Sequence, residues 1–346
     1  MENDIEIHEN PENLDEIIND DSENEENEEQ KTVEMVDEEP VEKVLEESII
    51  ANCISLLLRT SDGLNYANVQ LYCVQKEITD ISILSRYIHL RYVDLSNNKI
   101  SDISALSSLN DLITVNCAFN RIATISNLNL PYLRKFNLSN NRISEINTIS
   151  FPQLESLNLN GNKITSLYNS DKETVFRSEF LPELVSLELR GNRLTDTSGF
   201  ENMGKLKNLF LSKNQITKIC GLENLISLSV LHLRDNELSE LEGFTDDLQS
   251  LQYLNLRGNH VQTIEEIKKL KQLSLLRALI LSGNPVAELD EYRLETLTTL
   301  RKLVRLDKDN FLDEERTEAE QIYNQRLHDE MLENRKSFTE DEIEED

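Results

Sequence analysis

Leu90-Arg-Tyr-Val-Asp-Leu-Ser-Asn-Asn98-Lys-Ile100 returns one period later as Leu112-Ile-Thr-Val-Asn-Cys-Ala-Phe-Asn120-Arg-Ile122, and far downstream as Leu251-Gln-Tyr-Leu-Asn-Leu-Arg-Gly-Asn259-His-Val261. An asparagine closes each phrase: Asn98, Asn120, Asn141, Asn162, Asn192, Asn214, Asn236, Asn259 and Asn284, at gaps of 22, 21, 21, 30, 22, 22, 23 and 25 residues. A period this short and constant predicts a solenoid, in which each unit buries its apolar face only against its neighbours. Such an array offers a long surface whose ordinary use is to hold another macromolecule.

The phrase is the leucine-rich repeat, so the predicted fold class is α/β. The L-x-L core has the period of a strand: Leu187 and Leu189 point inward, and Ser186, Glu188 and Arg190 point to the concave face. Stacked repeats make these strands a parallel sheet. The following apolar positions, such as Ile216, Ile219, Leu222 and Leu225, recur every three residues and suit short 3₁₀ turns on the convex side. Each ladder Asn has two amide donors and one acceptor for backbone groups where the chain leaves the strand, so the column is read as structural.

Outside the repeats the chain changes character. Residues 1–50 carry 21 acidic and 2 basic side chains, residues 307–346 carry 16 and 5, and residues 51–306 carry 28 of each. The net charge of −30 therefore belongs to the two ends. We divide the chain into an acidic tail expected to be disordered (1–40), a helical N-terminal cap (41–68), the solenoid with its C-terminal cap (69–312), a projecting charged helix (313–337) and a second acidic tail (338–346). The cap helix is expected from about Val41 to Arg59, with Val44, Leu45, Ile49, Ile54, Leu57 and Leu58 as its apolar face. A degenerate first repeat follows, with Lys76 in the ladder position. Leu300-x-x-Leu303-x-x-Leu306-Asp307 looks like the closing motif of the short, SDS22-like repeat class. Beyond it, Ala319, Ile322, Leu327 and Met331 draw a thin apolar line on a polar helix suited to lie on a partner. About eight extra residues fall near Tyr168–Phe176 and are read as a tolerated bulge or a binding loop.

No apolar run is long enough to span a membrane, and the acidic N-terminus does not resemble a signal peptide. The four scattered cysteines, Cys73 and Cys117 at core positions and Cys220 in a loop, point to a reducing, intracellular setting, and the sequon at Asn137 lies inside a strand. No phosphate loop, dinucleotide fingerprint, zinc-protease helix or nucleophile elbow occurs, and the five histidines lack metal-ligand spacing. We expect no catalysis, no cofactor, no metal and no small-molecule substrate. A neutral body between acidic tails argues against nucleic acid.

The exposed strand columns carry the candidate partner-binding residues. Two positions before the ladder Asn the series runs Ser96, Ala118, Ser139, Asn160, Arg190, Ser212, Arg234, Arg257 and Ser282. With strands about 4.8 Å apart, Arg234 and Arg257 should be neighbours, with Asp235 and Glu188 at hand to neutralise them. The adjoining columns add Phe210, His232 and Tyr253. This C-terminal half is thus predicted to be a docking surface for an acidic or phosphorylated segment, since interfaces favour aromatics and Arg. Its alternative is a solvated face with local salt bridges.

Several fillings go beyond the generic repeat: Tyr87-Ile-His-Leu-Arg-Tyr-Val-Asp-Leu-Ser96, Leu206-Lys-Asn-Leu-Phe-Leu211, Leu231-His-Leu-Arg-Asp-Asn236, and Glu314-Glu-Arg-Thr-Glu-Ala-Glu320 after Leu306-Asp-Lys308. Over about residues 50–328 they resemble the leucine-rich repeat-containing protein 23 family. The resemblance implies a non-enzymatic component of the radial spokes of motile cilia, associated with the third spoke and its head, with other axonemal spoke proteins as partners. The insertion near Tyr168–Phe180 departs from that family's pattern. A second resemblance is to SDS22-like regulatory subunits of type 1 protein phosphatase, although this chain has no Trp and a less uniform period. Acidic histone-binding chaperones are a third, but they carry the long acidic tail after the repeats.

Overall fold

A computed structural model describes residues 41–125, 128–147, 149–169 and 172–341. The acidic tail expected over 1–40 and the last five residues lie outside the described residues. The chain divides into two units at Val41–Glu42, and all that follows concerns the second.

The second unit opens with a short helix α1 (Glu47–Cys53) and the strands β1 (Ile54–Arg59) and β2 (Tyr66–Tyr72). Three-residue strands then recur once per repeat: β3 (Tyr92–Asp94), β4 (Thr114–Asn116), β6 (Lys135–Asn137), β8 (Ser156–Asn158), β9 (Ser186–Glu188), β10 (Asn208–Phe210), β11 (Val230–His232), β12 (Tyr253–Asn255) and β13 (Ala278–Ile280). β14 (Arg305–Leu306) and β15 (Asp309–Asn310) close a sheet of 13 strands among the described residues. The register is parallel from β2 to β14 and antiparallel only in the two end pairs, β1–β2 and β14–β15. On the opposite side, β5 (Thr124–Ile125) and β7 (Glu145–Ile146) form a small parallel pair, and 3₁₀ turns cover Ser82–Arg86, Ser104–Ser108, Lys269–Gln272 and Pro285–Glu288. The helices α2 (Ile264–Lys268), α3 (Tyr292–Thr299) and α4 (Asp313–Asp341) lie toward the C-terminal end.

One apolar core runs from Leu45 to Ala319, built by the inward residue pairs of each phrase. Each of the nine ladder asparagines is bonded to backbone on both sides. Asn214 is representative: its Nδ2 donates to the Leu189 and Leu211 carbonyls at 2.9 and 3.0 Å, and its Oδ1 accepts the Leu194 N–H at 3.1 Å. The residue before each ladder Asn has positive φ, as at Asn97, Phe119, Gly161, Lys213, Asp235 and Gly258. That left-handed residue turns the chain out of the strand, and only glycine adopts it without steric cost. Asp307 caps the edge of β13: its Oδ1 accepts the Leu281 and Ser282 N–H groups at 2.8 and 2.7 Å, and Oδ2 accepts the Tyr292 hydroxyl at 3.0 Å. A carboxylate fits there because it meets only donors. The Cys117 thiol is buried in the core, which pushes its pKa up to about 12.

Two local expectations change. The cap helix ends at Cys53 rather than continuing to Arg59; residues 54–59 form β1, and Leu57 and Leu58 are exposed instead of joining an apolar helix face. The chain reverses at Asp62-Gly63, where the Leu64 N–H donates to Asp62 Oδ1. The first half of α4 does not project. Ala319 is buried against the cap, Arg293 Nε donates to Glu315 Oε1 at 2.5 Å, and Arg326 Nη2 donates to Glu295 Oε1 at 2.5 Å. Of the residues added near Tyr168–Phe176, Val175 and Phe176 are buried, and the Phe176 ring stacks on Phe200 at 6.2 Å.

Candidate protein-docking surface

The parallel register aligns the outward residues in columns. Phe210 is level with His232, His232 with Asn255, and Val230 with Tyr253. Arg234 and Arg257 fall on adjacent repeats, and the Asp235 N–H donates to the Arg257 carbonyl at 2.8 Å. A stack crosses four strands from β9 to β12. The Arg190 guanidinium lies 4.4 Å from the Phe210 ring centroid, Phe210 lies 4.9 Å from His232, and His232 lies 5.0 Å from Tyr253 with nearly parallel planes. Cation–π and ring–ring contacts of this kind hold flat side chains in place across the paired strands.

Burial divides the predicted residues. Arg190, Phe210, Arg234 and Arg257 are half-buried on the sheet face, whereas His232 and Tyr253, expected as exposed anchors, are buried. Successive large rings at 5 Å spacing cover one another's faces, so two side chains that point outward lose their solvent contact. Arg234 Nε donates to Asp235 Oδ2 at 3.0 Å, which offsets part of the repulsion between neighbouring guanidiniums. Glu188, the other acid expected to help, accepts from Asn158 Nδ2 and Asn160 Nδ2 at 3.1 and 2.6 Å. Among the described residues the buried Arg190 Nε has no acceptor, and such a donor gains when one arrives.

The N-terminal half of the same face is built differently. Asn116, Asn137 and Asn158 each accept the N–H two residues on, at 3.1, 3.0 and 3.0 Å, and so spend their polarity on local turns. Asp94 joins them by accepting from Asn116 Nδ2 at 3.1 Å. The half from Arg190 onward instead presents Arg190 against the Phe210 ring, with Arg234 and Arg257 beside the aromatic row.

Two features escaped the sequence reading. The exposed leucines of β1 were hidden by reading that segment as helix. A cleft at the C-terminal cap, lined by Lys271, Leu300, Arg301, Lys302, Arg316 and Tyr323, depends on α4 docking, with Arg301 stacked 4.3 Å from the Tyr323 ring centroid. Among the described residues no helix is long and apolar enough to cross a membrane, and no group of three His, Cys, Asp or Glu could hold a metal ion.

A family model described as leucine-rich repeat matches residues 186–335, and a model of two leucine-rich repeats matches 88–130 and 131–172. Human leucine-rich repeat-containing protein 23 is 42% identical over 301 residues, covering 83% of this chain and 81% of the relative. The mouse protein of the same name is 40% identical over 316 residues, covering 87% and 86%. Among solved structures, the leucine-rich repeat domain of APL1B is similar with a TM-score of 0.55 at 22% identity, over 71% of this chain and 67% of that one, which bears on the fold alone.

Proposed function

The chain belongs to the leucine-rich repeat-containing protein 23 family, and from that premise we propose that it is a non-catalytic scaffold of the axonemal radial spoke. In this reading it sits at the third spoke and its head region and holds other spoke proteins through its repeat surface. A stiff repeat array with one continuous core suits a structural part of a large assembly. The stacked row Arg190–Phe210–His232–Tyr253, flanked by Arg234 and Arg257, carries the reading. It offers apolar rings, guanidiniums and a buried donor in one place, the combination on which protein partners find anchors. Its partner segment supplies carboxylates or other acceptors between apolar side chains.

Changing Arg234 and Arg257 together to Glu tests this. Both are half-buried on the sheet face rather than in the core, so thermal stability should hold while recovery of spoke proteins from axonemal extract falls. If recovery is unchanged, while an equivalent charge reversal on the Asn-rich half abolishes it, the surface is wrongly placed.

A further inference from the structure

The two ends of the main sheet are finished differently. At the C-terminal end the last strand, β15, has only two residues, Asp309–Asn310, and α4 begins three residues later. That end is short and polar. At the N-terminal end β1 runs six residues, and no strand lies against its outer edge among the described residues. Leu56, Leu57 and Leu58 are exposed along it, Leu57 to 62%, and the hairpin adds Leu64, Tyr66 and Tyr72, with Tyr66 at 64%. None of the six belongs to the apolar core.

A regular strand would send alternate leucines to opposite faces. Here Leu56 has a φ of 58° and falls out of the pairing between Ser55–Gln70 and Leu57–Asn68. The register is the same on both sides of it, so no residue is inserted; Leu56 twists the strand locally, held in a conformation that costs a bulky residue, and three successive leucines end up in solvent. Folded proteins ordinarily shorten, charge or cover such an edge, because its unpaired backbone groups and apolar side chains recruit other chains.

Charge decides between recruits. The 40 residues joined to this unit carry 18 acidic side chains and 1 basic one, and the exposed Glu42, Glu46 and Glu47 follow at once. A second copy would bring the same negative charge to the same edge. The geometry points to the β1–β2 hairpin as a docking edge for an extended segment of another protein, apolar at its centre and rich in Lys and Arg at its flanks. The segment lies along β1 as an added strand, with its apolar side chains against Leu57, Leu58 and Tyr66 and its cations toward Glu42, Glu46 and Glu47. This surface is separate from the arginine-bearing face of β9–β12.

A phage-displayed library of random short peptides, selected on the immobilised full chain, tests it. The enriched peptides should share a β-forming apolar centre with basic flanks. They should bind Leu57→Glu about tenfold more weakly, the effect of one lost leucine anchor. They should bind Arg234→Glu as they bind the wild type, which separates this edge from the proposed spoke surface. Leu57 is exposed, so the thermal midpoint of Leu57→Glu should match the wild type. Neutral or acidic consensus peptides, equal binding to Leu57→Glu, or no enrichment would overturn the inference. So would a wild-type dimer in light scattering that Leu57→Glu makes monomeric, which would give the edge to a second copy.

Discussion

Replacing Asn214 by Ala should cost far more than its polarity suggests. The side chain satisfies the Leu194 N–H of the preceding repeat and the carbonyls of Leu189 and Leu211, all inside the solenoid. Alanine leaves one buried N–H and two buried carbonyls without these bonds. An orphaned N–H costs about 1–3 kcal/mol, and each under-satisfied carbonyl somewhat less, so the total is about 3 kcal/mol. With about 300 folded residues and an unfolding entropy near 2.1 cal/mol/K per residue, that lowers Tm by about 5 °C. Asn214→Asp should be worse, because a carboxylate would face two carbonyl oxygens at about 3 Å, the opposite of the all-donor setting of Asp307. Burial would raise the pKa of the new carboxyl, so this variant should regain stability as pH falls through that value. Asn158→Ala is the control: its half-buried side chain serves a local turn and donates to Glu188, which keeps the Asn160 donor, so the change should cost about 1 kcal/mol. Calorimetry on the three variants reads the differences. An Asn214→Ala cost no greater than that of Asn158→Ala would refute the structural ladder.

Tyr292→Phe should weaken the C-terminal cap by about 1.5–3 kcal/mol, the worth of a hydrogen bond to a charged group. Burial and the Asp307 carboxylate raise the Tyr292 pKa. Its contribution is therefore full below the unfolded value of about 10 and declines as pH rises beyond it, a slope that the Phe variant should lack in alkaline denaturation. Gly243→Ala should destabilise by more than about 2 kcal/mol, since its φ is 96° and an added Cβ would meet the Ile219 carbonyl oxygen, a backbone atom that cannot swing aside. Glu315→Gln should loosen the start of α4: its carboxyl is held below the usual range by Arg293, so the contact is present above that range and lost as pH falls through the folded pKa. Hydrogen exchange across 313–326 should speed up in the variant and, for the wild type, on acidification.

The repeat array was legible because one phrase recurs in fixed register, and nine copies of a polar residue at one position leave little else for the backbone to do. The side-chain columns follow from the same register, which is why Arg234 and Arg257 could be placed on neighbouring repeats. Burial within a column could not be read. Each of Phe210, His232 and Tyr253 looks exposed when its own strand is taken alone, and only the stacking of all three covers His232 and Tyr253. The N-terminal cap failed for another reason. Ile54, Leu57 and Leu58 satisfy a helical spacing as well as a strand, and short apolar runs do not distinguish the two. Asp62-Gly63 was the available signal, a hairpin turn dipeptide between two apolar runs. At the other end, α4 reads as a polar helix because salt bridges and the small Ala319, rather than large apolar residues, hold it to the cap.

The proposed role in the spoke stands or falls on where the protein resides. The direct measurement is the partition of the tagged full chain, at native expression in a ciliated cell, between salt-washed axonemes and the soluble fractions. The account predicts that the wild type stays with the axonemes and that the Arg234→Glu, Arg257→Glu double variant moves into the soluble pool while remaining folded. A wild-type protein found only in cytosol or nucleus, bound to a phosphatase catalytic subunit, would contradict it.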